Sequence, residues 1–187
     1  MKRILSAAET GRLKNRLRRG GLIAYPTESC YGIGCLPRHA GALKSLVRLK
    51  RRPQHKGMIV VGDSLSHLRP LLRPLSAADA AALDGIWPAR QTFLLPAARN
   101  VPVLLRGRGR GKLAVRVPAH AAARDVCYLL GTPLVSTSCN RSGKRPCRSA
   151  REVRRQFGRD VYVVGGRCGG SKTPSQISDW ATGERLR

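Results

Sequence analysis

Hydrophobic positions along this chain repeat with two different periods, and segments with one period alternate with segments that have the other. Short apolar or alternating runs predict strands, and amphipathic spacing with capping residues predicts helices. The predicted strands are residues 22–25, 58–61, 92–96, 112–117, 161–164 and 175–180. The predicted helices are a first one from the capping box Ser6-Ala-Ala-Glu9 to Gly20, then 42–50, 65–72 with Asp63 as cap, 76–83, one ended by Gly131, and 149–157. This alternation predicts an α/β fold, and the length fits a single domain, 1–187.

Two dense polar segments, residues 25–34 and 50–57, lie between Gly20 and Val61, and each follows an apolar run. Pro26 ends the first strand, so Thr27 lies on a loop at a strand end, where open α/β sheets place ligands. Pro53 ends the following helix near Arg51 or Arg52, because the residue before proline avoids the α region. Lys50, Arg52 and Lys56 therefore cluster before the next strand, which predicts a site for an anionic ligand.

Two later segments add candidate binding residues. In an extended chain, Ser136, Ser138 and Asn140 share one face and form a row of hydrogen-bonding groups. The competing interpretation is a turn rich in serine and asparagine. In the strand 112–117, Arg116 projects from the side opposite the apolar residues.

The net charge of +26 is extreme, with 36 lysines and arginines against 10 acidic residues. Such a surface indicates a polyanionic partner such as tRNA or another RNA, although a coding bias toward arginine and alanine explains the excess equally well. No apolar run is long enough for a membrane span, and the N-terminus lacks the apolar stretch of a signal peptide, so we expect a cytoplasmic protein without a membrane partner. The six cysteines have no zinc-like spacing, so we expect reduced thiols and no metal ligands, and Cys30 and Cys35 receive no role.

The motifs together resemble the YrdC/TsaC family of threonylcarbamoyl-AMP synthases over nearly the whole length. They are Tyr25-Pro-Thr-Glu28 with Tyr31-Gly-Ile-Gly34, Lys50-Arg-Arg52 with Lys56-Gly57, Ala114-Val-Arg-Val-Pro118, Ser136-Thr-Ser-Cys-Asn140 with Ser142-Gly143, and a final Thr182-Gly-Glu-Arg-Leu-Arg187. One departure is Ala89-Arg90, where the family carries Gly-Pro after Trp-Pro. If that turn requires a positive φ, the alanine is strained there.

The resemblance implies a twisted, open, mixed sheet with flanking helices and a positively charged concavity. It also implies that L-threonine, bicarbonate and ATP, with Mg²⁺ held mainly by the phosphates, give threonylcarbamoyl-AMP and pyrophosphate. This product serves the modification of a tRNA adenosine beside the anticodon, with tRNA threonylcarbamoyl-transfer proteins as partners. The implied roles are catalysis by Lys50 and Arg52, ATP binding by Arg52, Lys56, Ser136, Ser138, Asn140 and Arg187, and threonine binding by Thr27, Arg116 and Ser175.

Two other functions fit parts of the sequence. The charge alone favours a basic RNA-binding or ribosome-maturation protein without synthase activity. The motifs also fit a carbamoyl transferase or hydrolase related to larger hydrogenase-maturation proteins, whose additional zinc-finger and acylphosphatase-like regions have no counterpart in this sequence.

Overall fold

An eight-stranded mixed sheet runs through residues 5–53 and 57–187, the part of the protein that the structure, a computed structural model, describes. The strands are β1 (Leu22–Pro26), β2 (Tyr31–Gly34), β3 (Ile59–Val61), β4 (Gln91–Pro96), β5 (Lys112–Arg116), β6 (Leu134–Ser138), β7 (Val161–Val163) and β8 (Gln176–Asp179). Their order across the sheet is β7-β1-β2-β6-β3-β5-β4-β8. The pairs β7–β1, β3–β5 and β4–β8 are parallel, and the remaining neighbours are antiparallel.

The helices are α1 (Ala7–Arg18), α2 (Ala40–Lys50), α3 (Leu65–Leu68), α4 (Ala77–Ile86), α5 (Val103–Arg106), α6 (Ala121–Leu130) and α7 (Ala150–Phe157), with short 3₁₀ turns at Arg69–Leu71 and Gly158–Asp160. The capping box at Ser6 and Glu9 is present with both hydrogen bonds, which satisfy backbone donors at the start of α1. The end of α2 is also as predicted, because Arg51 adopts a left-handed conformation with φ 51°. These local sequence signals were sufficient to predict the start of α1 and the end of α2.

Three local predictions need correction, and two short elements were not predicted. The cap of α3 is Ser64, whose hydroxyl accepts from the His67 backbone, while the Asp63 carboxylate contacts the His67 ring instead. The predicted helix 65–72 is one α-helical turn followed by a 3₁₀ turn, and the helix predicted at 76–83 extends to Ile86. Strand β2 and helix α5 were not predicted at all, since glycines interrupt the apolar pattern of the first and the second is only four residues long.

Both faces of the sheet carry an apolar core. Leu22 and Ala24 of β1 point to one face, and Ile23 and Tyr25 to the other. The larger core packs the sheet against α2, α3, α4 and α7, and the smaller one packs it against α1 and α6. The predicted α/β architecture with an open mixed sheet and flanking helices is confirmed.

The smaller core occupies only part of its face, and this placement creates the functional region. Val61 of β3 and Leu134 of β6 belong to that core. Two residues away on the same face, Ile59 (before Val61) and Ser136 (after Leu134) line a cavity, and Ile59 also packs against the edge of that core. Helices α1 and α6 thus cover the β1 end of this face, and the sheet beyond them forms the cavity floor.

All six cysteines are free thiols. Cys35 is buried, and burial raises its pKa to about 12, whereas Cys30 is half-buried and lines the cavity. Within the described part of the chain, no helix combines the length and the apolar character needed to cross a membrane.

Candidate active site

A cavity of about 700 Å³ lies over the exposed part of the sheet. This volume is in the range of small-molecule binding sites. Its walls come from the loop after β1, from strands β2 to β6 and β8, from segments 105–111 and 173–175, and from the C-terminal residue. Seven of the predicted site residues line it, namely Thr27, Arg52, Arg116, Ser136, Ser138, Ser175 and Arg187. The fold therefore brings together side chains that lie up to 160 residues apart in the sequence.

Thr27 and Ser175 both line this cavity, and hydrogen bonds to neighbouring residues hold both side chains. The Thr27 hydroxyl donates to the Cys30 carbonyl at 2.7 Å. The Ser175 hydroxyl lies 3.0 Å from the Thr92 hydroxyl, and both side chains are buried. A Cβ at Gly32 would lie 2.9 Å from the Ser136 hydroxyl, so the absence of a side chain there lets strand β2 approach the floor closely.

Arg116 forms a buried ion pair with Glu28, a residue to which the sequence motifs had assigned no role. The Arg116 Nη2 atom lies 3.1 Å from Glu28 Oε2, and Nη1 donates to Oε1 at 3.3 Å. Both residues are only 7% exposed, and both line the cavity. The prediction that Arg116 projects away from the apolar side of β5 is confirmed, and its partner Glu28 is a cavity residue for which the sequence predicted no role.

Ser136 and Ser138 share the cavity face, but Asn140 does not line the cavity. The Asn140 side chain accepts from the Ser138 hydroxyl at 2.7 Å and donates to the Lys144 carbonyl at 2.8 Å. It therefore folds the segment after β6 into a turn. The two interpretations of this segment are both partly right, since a row of serines runs into an asparagine-anchored turn.

Lys50 is buried, at 4% exposure, and does not line the cavity. Its ammonium group donates to the carbonyls of Ser138 and Asn140 and to the Asn140 side-chain oxygen. Burial lowers the pKa of this lysine to about 8. In this structure Lys50 supports the end of β6 from behind, so a direct contact with phosphate stays a prediction.

Arg52 and Arg187 bring two guanidinium groups to the same wall. Arg52 Nη2 donates to the Gly57 carbonyl at 2.7 Å, and Arg187 donates to the Ser175 carbonyl through Nε and Nη2. Burial, followed by the charge of Arg187, lowers the pKa of Arg52. Burial, followed by the charge of Arg116, lowers the pKa of Arg187. The three arginines therefore interact electrostatically, while Lys56, the remaining predicted cation, lies outside the described residues.

The cavity lining is strongly basic. Seven cationic side chains line it against two carboxylates, Glu28 and Asp179. Four of these cations were not predicted as site residues, and they are Arg90, Arg106, Arg110 and Lys112. The alternation in β5 could have found Lys112, because it shares a face with Arg116; the other three come from loops whose path the sequence does not fix.

The departure at Ala89-Arg90 is accommodated without backbone strain. Among the described residues, Arg51 is the one non-glycine residue with positive φ, so Ala89 adopts an ordinary conformation. Arg90 donates to the carbonyl and the hydroxyl of Thr173 at 3.0 and 2.9 Å. This arginine therefore ties the loop after α4 to the segment that carries Ser175.

Both carboxylates of the cavity are already paired with cations, Glu28 with Arg116 and Asp179 with Lys112. In residues 5–53 and 57–187, no group of three or more histidine, cysteine, aspartate or glutamate side chains is arranged to hold a metal ion.

Comparison with known proteins gives consistent matches along the chain. The family model Sua5_yciO_yrdC, described as "Telomere recombination", matches residues 15–187. A Neisseria gonorrhoeae protein named threonylcarbamoyl-AMP synthase is 60% identical over 185 residues, covering 99% of this chain and 98% of its own length. A Laribacter hongkongensis protein of the same name is 51% identical over 187 residues, covering 100% of both chains.

Solved structures agree. The crystal structure of P. abyssi Sua5 complexed with L-threonine matches with a TM-score of 0.84 and 27% identity, covering 97% of this chain. This chain spans 53% of the P. abyssi chain. E. coli YciO shares the fold, with a TM-score of 0.79 and 24% identity over 95% of this chain and 87% of its own. The chain belongs to the Sua5/YciO/YrdC family.

Proposed function

We propose that this protein is a threonylcarbamoyl-AMP synthase, which joins L-threonine, bicarbonate and ATP into threonylcarbamoyl-AMP and releases pyrophosphate and water. The observation that carries the proposal is the 60% identity, over 99% of this chain, to a protein of that name. The basic cavity supports it independently, because ATP and pyrophosphate are polyanions that need a concentration of cations.

The reaction demands more from electrostatics than from acid–base chemistry. The deprotonated threonine amine first attacks the carbon of bicarbonate, a C–O bond of bicarbonate breaks, and the oxygen leaves as water, which gives a carbamate. A carbamate oxygen then attacks the α-phosphorus of ATP, and the bond to pyrophosphate breaks. Both reactants are negatively charged, so aligned reactants and preorganised cations can supply most of the acceleration.

The arginines at the Arg52–Arg187 wall meet the phosphates in this proposal. Their guanidinium groups can each form two hydrogen bonds to phosphate oxygens. Ser136 and Ser138 hold the nucleotide along the floor, and Lys50 and Asn140 fix the backbone that presents Ser138. Mg²⁺ bound to the ATP phosphates would add to the neutralisation of their charge.

The amino-acid end lies at Thr27, Arg116 and Ser175. Arg116 binds the threonine carboxylate, for which a planar guanidinium is well suited. Thr27 and Ser175 supply hydroxyl groups beside it. The crystal structure of P. abyssi Sua5 with L-threonine, a relative with a TM-score of 0.84, supports a threonine site in this fold.

The product is consumed by tRNA threonylcarbamoyl-transfer proteins in the cytoplasm, which modify the adenosine beside the anticodon. The net charge of +26 gives this protein a means to bind tRNA directly, and salt would weaken that contact. A protein that binds RNA without making the adenylate is the second candidate function, and the same charge favours it.

The test is pyrophosphate release by the full chain with ATP, Mg²⁺ and bicarbonate, with and without L-threonine. We expect release that depends on threonine, together with threonylcarbamoyl-AMP detected by mass spectrometry. The matched control is R16Q, which removes an arginine outside the cavity and should release pyrophosphate at the wild-type rate. Folded wild-type protein that binds tRNA but forms no adduct would establish the RNA-binding function instead.

A further inference from the structure

Glu28 lies in the cavity with more hydrogen-bonding capacity than its surroundings use. Its Oε1 atom accepts from Arg116 at 3.3 Å, whereas Oε2 lies 3.1 Å from Arg116 Nη2 without a hydrogen bond. Among the described residues, Glu28 Oε2 and Arg116 Nε have no hydrogen-bond partner although both atoms are buried. A buried pair with unsatisfied atoms is unfavourable by itself, so a ligand that completes it would gain affinity.

The other carboxylate of the cavity, Asp179, does not have this property. Its Oδ2 atom accepts from Lys112 at 2.5 Å, and its Oδ1 atom accepts from the backbone of Ala181 at 3.0 Å and of Thr182 at 3.4 Å. Both oxygens of Asp179 are thus used to hold the end of β8. Glu28 is the cavity carboxylate that remains available for a cationic group of a ligand.

An amino acid is a zwitterion and carries both charges on neighbouring atoms. The paired guanidinium and carboxylate of Arg116 and Glu28 present the complementary charges side by side. If Arg116 turns toward the α-carboxylate of the ligand, Glu28 loses its cation and needs another one. The α-ammonium group of the same ligand can replace it, so that one buried ion pair is exchanged for two.

We propose that Glu28 binds the α-ammonium group of the amino-acid substrate and selects against compounds that lack an α-amine. This inference rests on the proposed function, because it places the amino acid next to Arg116. Burial strengthens the selection, since the desolvation of Glu28 and Arg116 has already occurred in the folded protein.

The test compares two ligands that differ by one group. L-Threonine and (R)-3-hydroxybutyrate share the carboxylate and the hydroxyl, but the second lacks the α-amine. Binding of each to the full chain is measured by calorimetry, with and without α,β-methylene ATP, which prevents turnover. We expect wild type to bind threonine at least about 10-fold more tightly than the analogue, as charged hydrogen bonds of this kind allow.

E28Q keeps the shape of the side chain and removes its charge. We expect it to lose the preference for threonine while it binds (R)-3-hydroxybutyrate within about threefold of wild type, and we expect E28D to restore part of the preference. Binding of the analogue also reports that E28Q is folded. The matched control is D179N, which removes the other cavity carboxylate and should keep the wild-type preference.

Two results would overturn the inference. If E28Q lowers the affinity for both ligands equally, Glu28 only positions Arg116. If E28Q binds threonine as tightly as wild type does, Glu28 does not contact the ligand. The proposed function fails separately, when wild type binds threonine with the expected preference but forms no adenylate. Wild-type protein that binds neither ligand under either condition overturns both.

Discussion

Two carboxylate–cation pairs line the same cavity, and they differ in how their oxygens are used. The Asp179–Lys112 pair joins β8 to β5 across β4, and backbone amides of the following turn complete the hydrogen bonds of the aspartate. The Glu28–Arg116 pair joins the loop after β1 to the end of β5, and two of its buried polar atoms stay without a hydrogen bond. The first pair is completed by the protein itself, and the second is left for a ligand to complete.

Whether the protein itself completes the hydrogen bonds of a pair distinguishes a structural role from a functional one better than burial or residue type does. A carboxylate with several backbone donors stabilises local structure, because each donor would otherwise lose a partner. In a buried ion pair that lacks hydrogen-bond partners, the interactions formed on folding do not offset the desolvation cost of the two charges. Proteins retain such pairs where function requires them, which is the situation that we infer for Glu28 and Arg116.

The largest effect that the comparison predicts comes from R116K. Lysine keeps the charge but loses the two-pronged hydrogen bonding, so we expect kcat/KM for threonine to fall on the order of 100-fold. We expect KM for ATP to change much less, because the nucleotide lies at the Arg52–Arg187 wall in our proposal. Steady-state pyrophosphate release with each substrate varied in turn measures both constants.

K112R is the matched control for R116K, since it changes a cation of the other pair on the same strand. It should keep kcat/KM within about threefold of wild type, as expected for a partly exposed ion pair. Equal losses in R116K and K112R would contradict the distinction between the two pairs.

Lys50 extends the comparison to a buried charge whose partners, among the described residues, are uncharged oxygens. Burial lowers its pKa from 10.5 in an ordinary lysine to about 8. Between these two values the unfolded chain binds more protons than the folded one, so the free energy of unfolding rises with pH in that window. Since each pKa unit corresponds to about 1.4 kcal/mol, the rise is at most roughly 3 kcal/mol.

Chemical denaturation of wild type and K50M from pH 7.5 to 10.5 measures this effect. We expect the stability of wild type to increase relative to K50M across the window, because the methionine variant has no proton to release. A constant difference between the two proteins would mean that the three oxygen atoms around Lys50 keep its pKa near the ordinary value.

Much of the fold follows from local sequence signals, as α1 and α2 illustrate. The capping box at Ser6 and the break before Pro53 act through neighbouring residues, so the sequence alone places these helix ends. Strand β2 could not be found in this way. Its glycines lack the side chains that produce a readable pattern, and its position depends on the close approach of β6, since a Cβ at Gly34 would lie 1.6 Å from the Val135 carbonyl oxygen.

Part of the site was also predictable from local sequence signals. The motifs and the family resemblance pointed to Thr27, Arg116 and Ser175, all of which line the cavity, and period-two alternation placed Arg116 on the face of β5 opposite the apolar residues. The pairing of Arg116 with Glu28 was not predictable, because it joins residues 88 positions apart whose distance depends on the assembled sheet. The contact of Lys50 with the end of β6 was not predicted either. Helical spacing predicts the side of α2 on which Lys50 lies, but not which strand end that side packs against.

The smallest effect concerns the completed pair and comes from D179N. The hydrogen bond from Lys112 lowers the pKa of Asp179, so the unfolded chain binds more protons in mild acid than the folded one does. The stabilisation is therefore present above the ordinary aspartate pKa and is lost as pH falls through the lowered folded value. At neutral pH we expect D179N to reduce the free energy of unfolding by about 1 kcal/mol, because the pair is partly exposed and an amide retains some of the hydrogen bonds.

Urea denaturation between pH 7 and 3 measures this effect. The difference in free energy of unfolding between wild type and D179N should shrink as the pH falls. The control is D84N, at an exposed aspartate of α4, which should show no such difference. A gap that persists unchanged in acid would mean that Asp179 stabilises β8 through the geometry of its backbone hydrogen bonds and not through its charge.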